Sequence, residues 1–516
     1  MTVTPPPATG WTDIVVGAGS SGAVVAARLS EDPSRRVLLV EAGPDYPTAE
    51  TLPPDLADAS LPSLVDHDWG FTSTSTAGRS MAMNRGRVVG GSSSVNACIA
   101  LRPEPDDFHA WTALGNEGWD WADVLPAFNR LEHDRDVDGP DHGSDGPIPI
   151  GRPPMAALQP QSRAMVEGLV AMGYPAIEDH NAPGSTGVGP VALNAVDGRR
   201  MSTSATYLAA ARMRPNLEIL PDAMVDRVRF VGDRAVGLDL VVSGRPRRID
   251  GDQIILSAGA FGTPAILMRS GIGAADHLQG LGIEVAADLP GVGANLSDHS
   301  QVPFGMVPTV DLDTTSACVE VMLRFTTSGS DAVNDMQLAM LNHVNLALYA
   351  PHLVGGAGST GAFLLATVLQ HPRATGSVRL ASPDPGVAPI IDIDLLGDPF
   401  DVARHREGLR LGWDLAHGDH VGRLHRGILG LDATTVADDE RLDAMIAGAI
   451  ETAHHPTGTA RMGPDDDAWA VIDDELRVRG TSGLRVADAS IMPTTVRANT
   501  NLTCMMIGER AAEILA

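Results

Sequence analysis

Cysteine is scarce in this chain, and its scarcity limits both the compartment and the chemistry of the protein. The 516 residues include three cysteines, Cys98, Cys318 and Cys504, an odd number at wide spacing. Such spacing is typical of reduced thiols in a cytoplasmic protein and unlike a disulfide framework. Neither a Cys-x-x-Cys nor a His-Glu-x-x-His pattern occurs, so we expect no metal site.

Basic charge and long apolar runs are also lacking. Lysine and arginine number 37 against 65 aspartates and glutamates, a net charge of −28, which argues against nucleic acid and anionic membrane surfaces as partners. Residues 1–12 have no basic start and no apolar core, so we expect no signal peptide, and no run approaches the ~20 apolar residues that span a bilayer. With 43% hydrophobic residues and 55 glycines, the chain fits a large α/β enzyme of two or more domains, and its oligomeric state is not readable.

Residues 13–41 have the pattern of a dinucleotide-binding βαβ unit. A short apolar run ends at Gly17, which is followed by Gly19 and Gly22 at G-x-G-x-x-G spacing and then by a small, apolar helical stretch. A second apolar run ends at Glu41, 19 residues past the third glycine, where an acid accepts hydrogen bonds from ribose hydroxyls. A glycine-rich structural turn is the alternative, but the whole unit favours an adenine dinucleotide. A carboxylate there disfavours the 2′-phosphate of NADP, and this unit alone does not separate FAD from NAD.

Further segments predict a sheet that the chain leaves and re-enters. Residues 85–96, RGRVVGGSSSVN, are either a plain loop or a stretch held against a flat polar cofactor, and residues 253–269 indicate a strand, a turn and a helix. Between 300 and 395, apolar runs alternate with turn residues and predict a mostly antiparallel sheet. These runs are 304–307, 318–325, 336–341, 361–369, 377–380 and 390–393. Helices are expected at 106–115, 121–132, 161–172, 204–212, 401–414, 439–450 and 501–516, the first two with Trp111, Leu114, Val124, Leu125 and Phe128 buried.

Six sequence blocks, in the same order, resemble the glucose–methanol–choline (GMC) oxidoreductases over nearly the whole chain. They are GAGSSG at 17–22 with Glu41, RGRVVGGSSSVNACIA at 85–100, SAGAFGTPAILMRSGIG at 257–273, LPGVGANLSDH at 289–299, HHPTGTARMG at 454–463 and GLRVADASIMPTTVRANTNLTCMMIGERAAEIL at 483–515. Within the family, GPIPIGR at 146–152 and the chain ends look most like the 5-(hydroxymethyl)furfural oxidase and aryl-alcohol oxidase branch.

The resemblance implies FAD as the cofactor and an α/β fold. A Rossmann-like FAD/NAD(P)-binding domain is expected to interleave with an α+β substrate domain built on a mostly antiparallel sheet. We assign residues 1–155, 200–300 and 452–516 to the FAD-binding domain, and residues 156–199 and 301–451 to the substrate-binding domain.

Carried over residue by residue, the family motifs imply a set of FAD contacts. The set comprises Gly17, Gly19, Ser20, Ser21, Gly22, Glu41, Val88, Gly91, Asn96, Ala97, Cys98, Ile99, Val225, Asp488, Ala489, Thr500 and Asn501. Val95 stands where some members have a histidine that attaches FAD covalently. Valine has no nucleophile, so we expect non-covalent FAD.

Oxidation of an alcohol needs a base near neutral pKa and a donor to the developing alkoxide. Imidazole suits the first task, and the family motif H-P-x-G-T aligns on His455, which is the expected base. Asn499, 44 residues later, matches a family position whose amide is expected to donate to the substrate oxygen. The alternatives are a packed or surface histidine and a helix cap. His454 is expected to point elsewhere by strand alternation, and His299 to be structural.

The resemblance therefore implies oxidation of a small primary alcohol, benzylic, allylic or furanic, to the aldehyde. Hydride passes to flavin N5 and electrons pass to O₂ or another acceptor. A choline-type dehydrogenase, a non-redox hydroxynitrile lyase, a fatty-acid photodecarboxylase, a flavin-containing scaffold and an NAD-dependent dehydrogenase remain as alternatives. An aromatic content of 4% leaves few residues for a cage around a quaternary ammonium, which disfavours choline.

Overall fold

The computed structural model describes residues 10–74, 78–349 and 361–516. Residues 1–9 lie outside these ranges. They make up most of residues 1–12, the segment in which the sequence predicts no signal peptide. The strands are β1 (Trp11–Val16), β2 (Val37–Val40), β3 (Thr72–Thr74), β4 (Ser80–Ala82), β5 (Glu132–Asp134), β6 (Ile148–Ile150), β7 (Gly187–Pro190), β8 (Ala195–Val196), β9 (Arg199–Arg200), β10 (Leu217–Leu220), β11 (Ala223–Val231), β12 (Arg234–Val242), β13 (Arg245–Leu256), β14 (Ile272–Gly273), β15 (Ala287–Asp288), β16 (Ser300–Pro308), β17 (Val319–Phe325), β18 (Met336–Asn345), β19 (Gly361–Leu369), β20 (Ser377–Arg379), β21 (Ile390–Asp392), β22 (His425–Leu429), β23 (Glu451–Thr452) and β24 (Leu484–Val486). The helices are α1 (Gly22–Leu29), α2 (Pro54–Ala57), α3 (Pro105–Ala113), α4 (Trp121–Leu131), α5 (Pro160–Ala171), α6 (Tyr207–Ala211), α7 (Gly259–Arg269), α8 (Ala275–Gly280), α9 (Leu346–Tyr349), α10 (Pro399–His417), α11 (Asp419–Gly422), α12 (Ala433–Val436), α13 (Asp439–Ala449) and α14 (Thr500–Leu515).

The first large sheet is the parallel sheet that the βαβ unit predicts. Strands β10, β2, β1, β13 and β24 lie side by side in parallel, with Val16 opposite Val40 on one side and Leu256 on the other. Strand β13 is longer than expected because its first half pairs antiparallel with β12, while its second half pairs with β1. Helix α1 packs against α14, the last helix of the chain, where a Cβ on Gly508 would lie 2.7 Å from the Ser21 carbonyl oxygen. The start and the end of the described chain therefore meet beside this sheet.

The second large sheet is antiparallel, as the runs after residue 300 predict. Its order is β22–β16–β19–β18–β17–β7, and β23 also pairs with β16. One face packs on α10, where Gly408 and Gly412 leave room for the side chains of Thr367 and Phe304. Because successive side chains of a strand point to opposite faces, the other face is free to line a cavity. The expected fold class, a Rossmann-like α/β domain interleaved with an antiparallel substrate sheet, is confirmed.

Several details of the sequence interpretation were wrong. The runs at 377–380 and 390–393 do not join the large antiparallel sheet: β20 and β21 form a separate sheet with β3 and β4, because β21 pairs with β3 more than 300 residues earlier in the chain. Leu114 is 48% exposed because it is the residue that follows the end of α3. Residues 204–206 are not helical, since α6 begins at Tyr207.

The apolar core follows the two sheets. One buried cluster surrounds β1, β2, β13 and the helices α1, α4 and α14, and a second lies between the antiparallel sheet and α5, α10 and α13. Trp111, Val124 and Phe128 are buried, as expected, whereas Leu125 is only partly buried. Within the described ranges, none of the helices combines the length and the apolar character that a bilayer-spanning segment requires.

Candidate active site

A cavity of about 760 Å³ lies between the two large sheets. One end reaches the glycine-rich turn between β1 and α1, and the other end reaches the free face of the antiparallel sheet. Segments from the beginning, the middle and the end of the chain line it together. This interleaving suits one long ligand that touches both sheets.

The three glycines of the first turn, Gly17, Gly19 and Gly22, lack a side chain for different physical reasons. A Cβ on Gly17 would lie 2.4 Å from the Ser257 carbonyl oxygen, and one on Gly22 would lie 2.0 Å from the Gly17 oxygen, so chain packing alone requires glycine at both positions. A Cβ on Gly19 would meet no protein atom closer than 3.9 Å, where the Cα of Gly91 lies. The absence of a side chain at Gly19 therefore leaves space for a ligand, which fits the backbone approach of a pyrophosphate.

Glu41 lies at the end of β2 and lines the cavity. One carboxylate oxygen accepts from the Ala18 backbone N–H at 2.9 Å, and the other accepts from the Gly43 N–H at 2.9 Å. Burial raises the pKa of Glu41 to about 7. Each oxygen has a further lone pair, so the fixed carboxylate is able to accept from the hydroxyl groups of a ribose.

The amino end of α14 supplies another wall of the cavity. The Ser20 hydroxyl donates to Asn501 Oδ1 at 2.8 Å, which ties this helix to the first turn. Asn501 Nδ2 is buried without a hydrogen-bond partner among the described residues. Nearby, the Asp488 carboxylate accepts from the Thr263 hydroxyl at 2.6 Å and the Gly259 N–H at 2.8 Å. A partnerless amide in a cavity wall fits a polar cofactor.

Most of the residues expected at the cofactor line this cavity. They are Gly17, Gly19, Ser20, Ser21, Glu41, Gly91, Asn96, Ala97, Ile99, Val225, Asp488, Ala489, Thr500 and Asn501. The structure does not place Gly22, Val88 or Cys98 in the lining. The side chain of Val88 packs in an apolar cluster with Leu56 and Val95 instead, and Cys98, at φ 60°, turns its sulfur towards Arg200, 3.6 Å away.

His455 and Asn499 lie together in the cavity wall, as the sequence predicts. Asn499 Nδ2 lies 3.2 Å from His455 Nε2. Asn499 occupies the N-cap position of α14, but its side chain makes no capping hydrogen bond, so its amide is available to the cavity. Its Oδ1 is buried without a partner among the described residues.

His299 contacts His455 from behind, a role that the sequence interpretation missed. The two Nδ1 atoms are 3.0 Å apart, and the rings meet edge to face. Burial lowers the pKa of His299 to about 3, and burial together with the charges of its neighbours lowers the pKa of His455 well below its ordinary value. Both imidazoles are therefore neutral at pH 7. His299 is the last residue of the LPGVGANLSDH block, but the sequence of that block does not indicate that His299 contacts His455.

The loop that presents His455 is not a strand. His454 has φ 66°, so strand alternation is the wrong reason for expecting its ring to point elsewhere, and His454 also lines the cavity. The Asp298 carboxylate accepts from the His455 backbone N–H at 2.8 Å and from the Thr452 hydroxyl at 2.5 Å. Arg85 donates to the His454 carbonyl at 2.7 Å. Three contacts thus fix the backbone that positions the imidazole, and the sequence interpretation had assigned neither Asp298 nor Arg85.

A nucleotide-binding sheet, an antiparallel sheet and an imidazole–amide pair between them define the class of the protein, a dinucleotide-dependent oxidoreductase. The chain belongs to the GMC oxidoreductase family. The amino-terminal family model matches residues 11–301, and the carboxy-terminal model matches residues 372–508. Members of this family bind FAD, which is the cofactor of this chain, and the enzyme acts on alcohol groups.

Known relatives match the chain along nearly its whole length. It is 36% identical to 5-(hydroxymethyl)furfural oxidase of Methylovorus sp., over 97% of this chain and 98% of the relative. It is 33% identical to oxygen-dependent choline dehydrogenase of Rhizobium etli, over 97% and 94% of the two chains. Among solved structures, pyridoxine 4-oxidase from Mesorbium loti superposes with a TM-score of 0.89 at 33% identity, covering 98% of this chain and 99% of the other.

Proposed function

We propose that the protein oxidises a small primary alcohol, benzylic, allylic or furanic, to the aldehyde. His455 is the general base, and Asn499 is the donor that stabilises the alkoxide. The supporting observation is the hydrogen-bonded line Asn499–His455–His299, with spacings of 3.2 and 3.0 Å, at the wall of the cavity.

The proton chemistry follows from the neutral imidazoles. Two Nδ1 atoms 3.0 Å apart share one proton, so one ring donates and the other accepts. If His455 donates from Nδ1, its Nε2 carries a lone pair at the cavity wall, which in this structure accepts from Asn499 Nδ2 and which a bound alcohol would share. An alcohol O–H that binds there donates to Nε2, and the proton passes to His455 as the hydride leaves the adjacent carbon. His299 positions this tautomer of His455.

Asn499 acts on the charge that appears on the substrate oxygen. An amide N–H₂ has two donors and cannot remove a proton, so Asn499 is suited to stabilise an alkoxide and unsuited to form one. Its Nδ2 already lies beside His455 Nε2, the point at which the hydroxyl group would bind. A fixed donor at that point stabilises the transition state more than the ground state, because the oxygen gains charge as the proton leaves.

The cavity fits FAD through its own residues. Glu41 would accept from the ribose, Gly19 would admit the pyrophosphate, and the partnerless amide of Asn501 would meet a polar edge of the cofactor. When bound, FAD supplies the hydride acceptor. Val95 is buried and offers no nucleophile, so the FAD is non-covalent, and acid precipitation should release all the yellow colour into the supernatant.

The substrate and the acceptor are taken from the relatives as proposals. Both 5-(hydroxymethyl)furfural oxidase and pyridoxine 4-oxidase are oxidases by name, which supports O₂ as the acceptor. The division into an FAD-binding domain and a substrate-binding domain, and the cytoplasmic location, remain proposals. The three cysteines of the described chain are free thiols, in keeping with a reducing compartment.

The experiment is a panel of primary alcohols mixed anaerobically with the holoenzyme, followed by flavin bleaching and, in air, by peroxide release. His455→Ala should slow bleaching by roughly 10²–10⁴-fold while FAD stays bound. His109→Ala, at a histidine whose side chain is 53% exposed, is the matched control and should bleach at the wild-type rate. Equal rates in the two variants would exclude His455 as the base, and a flavin that no alcohol bleaches would refute alcohol oxidation.

A further inference from the structure

Two buried ion pairs lie behind the chain segment that carries Asn499. Arg497 pairs with Asp107 of α3, with 2.7 Å between Nε and the carboxylate. Arg324 of β17 pairs with Glu104, the N-cap residue of α3, at 2.5 Å. All four side chains are at most 6% exposed. Two positive and two negative charges therefore compensate one another in the interior of the protein.

Arg497 is held through its backbone as well as through its side chain. One carboxylate oxygen of Asp107 accepts from the backbone N–H of Arg497 at 2.9 Å, and the other accepts from its Nε at 2.7 Å. The Arg497 carbonyl oxygen accepts from Arg324 Nη2 at 3.2 Å, and Arg497 Nη1 donates to the Val333 carbonyl oxygen at 2.8 Å. Because the donors of a guanidinium lie in one rigid plane, these bonds fix the orientation of the whole residue.

The side chain of Asn499 has little support of its own. Within the described chain it makes one hydrogen bond, to His455 at 3.2 Å, its Oδ1 has no partner, and it does not cap α14. Asn499 follows Arg497 by two residues, which is at most ~7 Å of chain. The position of the amide therefore depends on the backbone before it, and buried charged groups hold that backbone at Arg497.

A second contact joins the same segment to the loop that presents the base. The hydroxyl oxygens of Thr495 and Thr457 lie 2.6 Å apart, and Thr457 follows His455 by two residues. The segment 495–499 is thus fixed to the His455 loop at Thr495 and to α3 and β17 at Arg497. The Asn499 amide lies just beyond both points, so a shift at Arg497 would move it relative to the imidazole.

We propose that Arg497 is a positioning residue, whose buried contacts hold the Asn499 amide within hydrogen-bonding distance of His455. Arg497 is not part of the cavity lining, so it acts through Asn499 rather than on the substrate or the cofactor. This inference rests on the proposed function and adds to it a residue that supports the catalytic pair from outside the cavity.

The kinetic test is a double-mutant cycle on the holoenzyme. Arg497→Met should slow anaerobic flavin bleaching at saturating alcohol by roughly 10–100-fold, the effect of a misplacement of ~1 Å, and should leave the half-saturating alcohol concentration within about twofold of wild type. In the Asn499→Ala background, the same substitution should slow bleaching by less than about threefold, because the amide that it would displace is already absent. A second full loss in that background would mean that Arg497 acts elsewhere and would overturn the proposal.

Three further variants separate positioning from folding. Arg497→Lys keeps a positive charge beside Asp107 and should recover part of the rate. Arg497→Met combined with Asp107→Asn leaves no unpaired buried charge, so it should fold where the single variant does not, and should bleach as slowly. Arg152→Met is the matched control, because Arg152 also has two carboxylate partners and a 5% exposed side chain but lies outside the cavity lining. It should bleach at the wild-type rate.

A structural measurement separates this inference from the proposed function. Crystal structures of the holoenzyme report the distance between Asn499 Nδ2 and His455 Nε2 without turnover. This distance is 3.2 Å in the wild-type chain. In Arg497→Met, alone or with Asp107→Asn, it should exceed about 3.5 Å, beyond hydrogen-bonding range. An unchanged distance would overturn the positioning role even if the variant were slow. A longer distance in an enzyme whose flavin no alcohol bleaches would support the positioning role and refute only the proposed function.

Discussion

At the scale of single residues, the chemistry depends on the protonation of His455. Its pKa is lowered by burial and by the nearby His299, Arg85 and His454, so the ring stays neutral well below its ordinary titration range. A base with a depressed pKa remains unprotonated, and therefore competent, as the pH falls through 6.5.

This electrostatic setting predicts a flat acid limb in the pH profile. The rate constant for flavin bleaching at saturating alcohol should not change between pH 8 and pH 6. Anaerobic stopped-flow measurements across this range would test the expectation. A sigmoidal loss of rate centred near pH 6.5 would show that the imidazole titrates normally, contrary to the effect of its enclosed position.

Asn499→Ala removes the donor and leaves the base. The expected cost is roughly 2–4 kcal/mol in the barrier, or about 30–1000-fold in the bleaching rate, on the scale of oxyanion donors. Because the amide acts on the transition state, kcat should fall more than KM rises. Turnover close to wild type would remove Asn499 from the mechanism. Asn334→Ala is unsuitable as a control because the Asn334 amide donates to Glu104. His109→Ala, at an exposed side chain, again serves as the control and should keep the wild-type rate.

His299 is predicted to act through His455 rather than on substrate. His299→Leu removes the acceptor for Nδ1, so the bleaching rate should fall roughly 10–100-fold with little change in KM, as for other residues that orient a functional histidine. His299→Asn keeps an acceptor oxygen and should recover part of the rate. Stopped-flow bleaching of both variants is the measurement. Equal losses in leucine and asparagine variants would indicate a packing role only.

The sequence predicted the residues of the pair but not the residue behind it. His455 and Asn499 belong to local motifs, so their identity was readable. His299 meets His455 across 156 positions of the chain, and no local pattern encodes such a contact.

At the scale of elements, β5 and β6 are held by a cluster of charges around His142. Its ring nitrogens lie 3.1 Å from Glu132, 3.2 Å from Asp134 and 3.1 Å from Asp179. Arg152 also pairs with Asp134 at 2.9 Å. Hydrogen bonds to the three carboxylates raise the pKa of His142 to about 11. Glu132, Asp134 and His142 are close enough to ligate a metal ion, but the positive charges of His142 and Arg152 already compensate the carboxylates. The absence of a metal site stays a prediction.

His142→Gln should destabilise the protein by about 1–3 kcal/mol at pH 7, because buried carboxylates lose a charged partner. A histidine whose folded pKa exceeds its unfolded value stabilises fully below pH ~6.5, and this stabilisation is lost as the pH rises towards 11. The stability difference between wild type and variant should therefore shrink between pH 7 and pH 10. Urea unfolding of wild type and of the variant at several pH values measures this difference in stability. A difference that stays constant with pH would mean that the His142 ring is not charged.

Strand partners were harder to predict than strands. The apolar runs at 377–380 and 390–393 do form β20 and β21, because alternation and β-branched residues are local properties. Their assignment to the large sheet was wrong because β3, from residues 72–74, takes the pairing position beside β21. Pairing depends on which edges meet after the chain has folded, and single-sequence periodicity does not contain that information.

At the scale of the whole molecule, buried neutral histidines limit acid stability. Burial lowers the pKa values of several of them to about 3 or 4: His180, His299, His371, His405 and His454. Glu41 and Asp298 oppose this trend, because burial raises their pKa values to about 7 and about 6 and lets the folded state bind protons first. More groups favour proton uptake by the unfolded chain than by the folded chain.

Stability should therefore fall as the pH drops below about 6.5, by several kcal/mol per pH unit at most. The Tm of the holoenzyme should be nearly constant from pH 8 to pH 7 and should decrease between pH 6.5 and pH 5. A calorimetric series at fixed ionic strength would measure this, with released FAD quantified at each pH. A Tm that holds to pH 5 would mean that the unfolded chain gains no excess protons there.

The contact between α1 and α14 has a consequence for the order of events during synthesis. Asn499, Thr500 and Asn501, at the start of the last helix, form a wall of the cavity, and Ser20 of the first turn is hydrogen-bonded to Asn501. A nascent chain that still has α14 inside the ribosome holds its first nucleotide-binding turn without that wall. We therefore expect FAD to be retained only once α14 has been synthesised and has packed against the first turn.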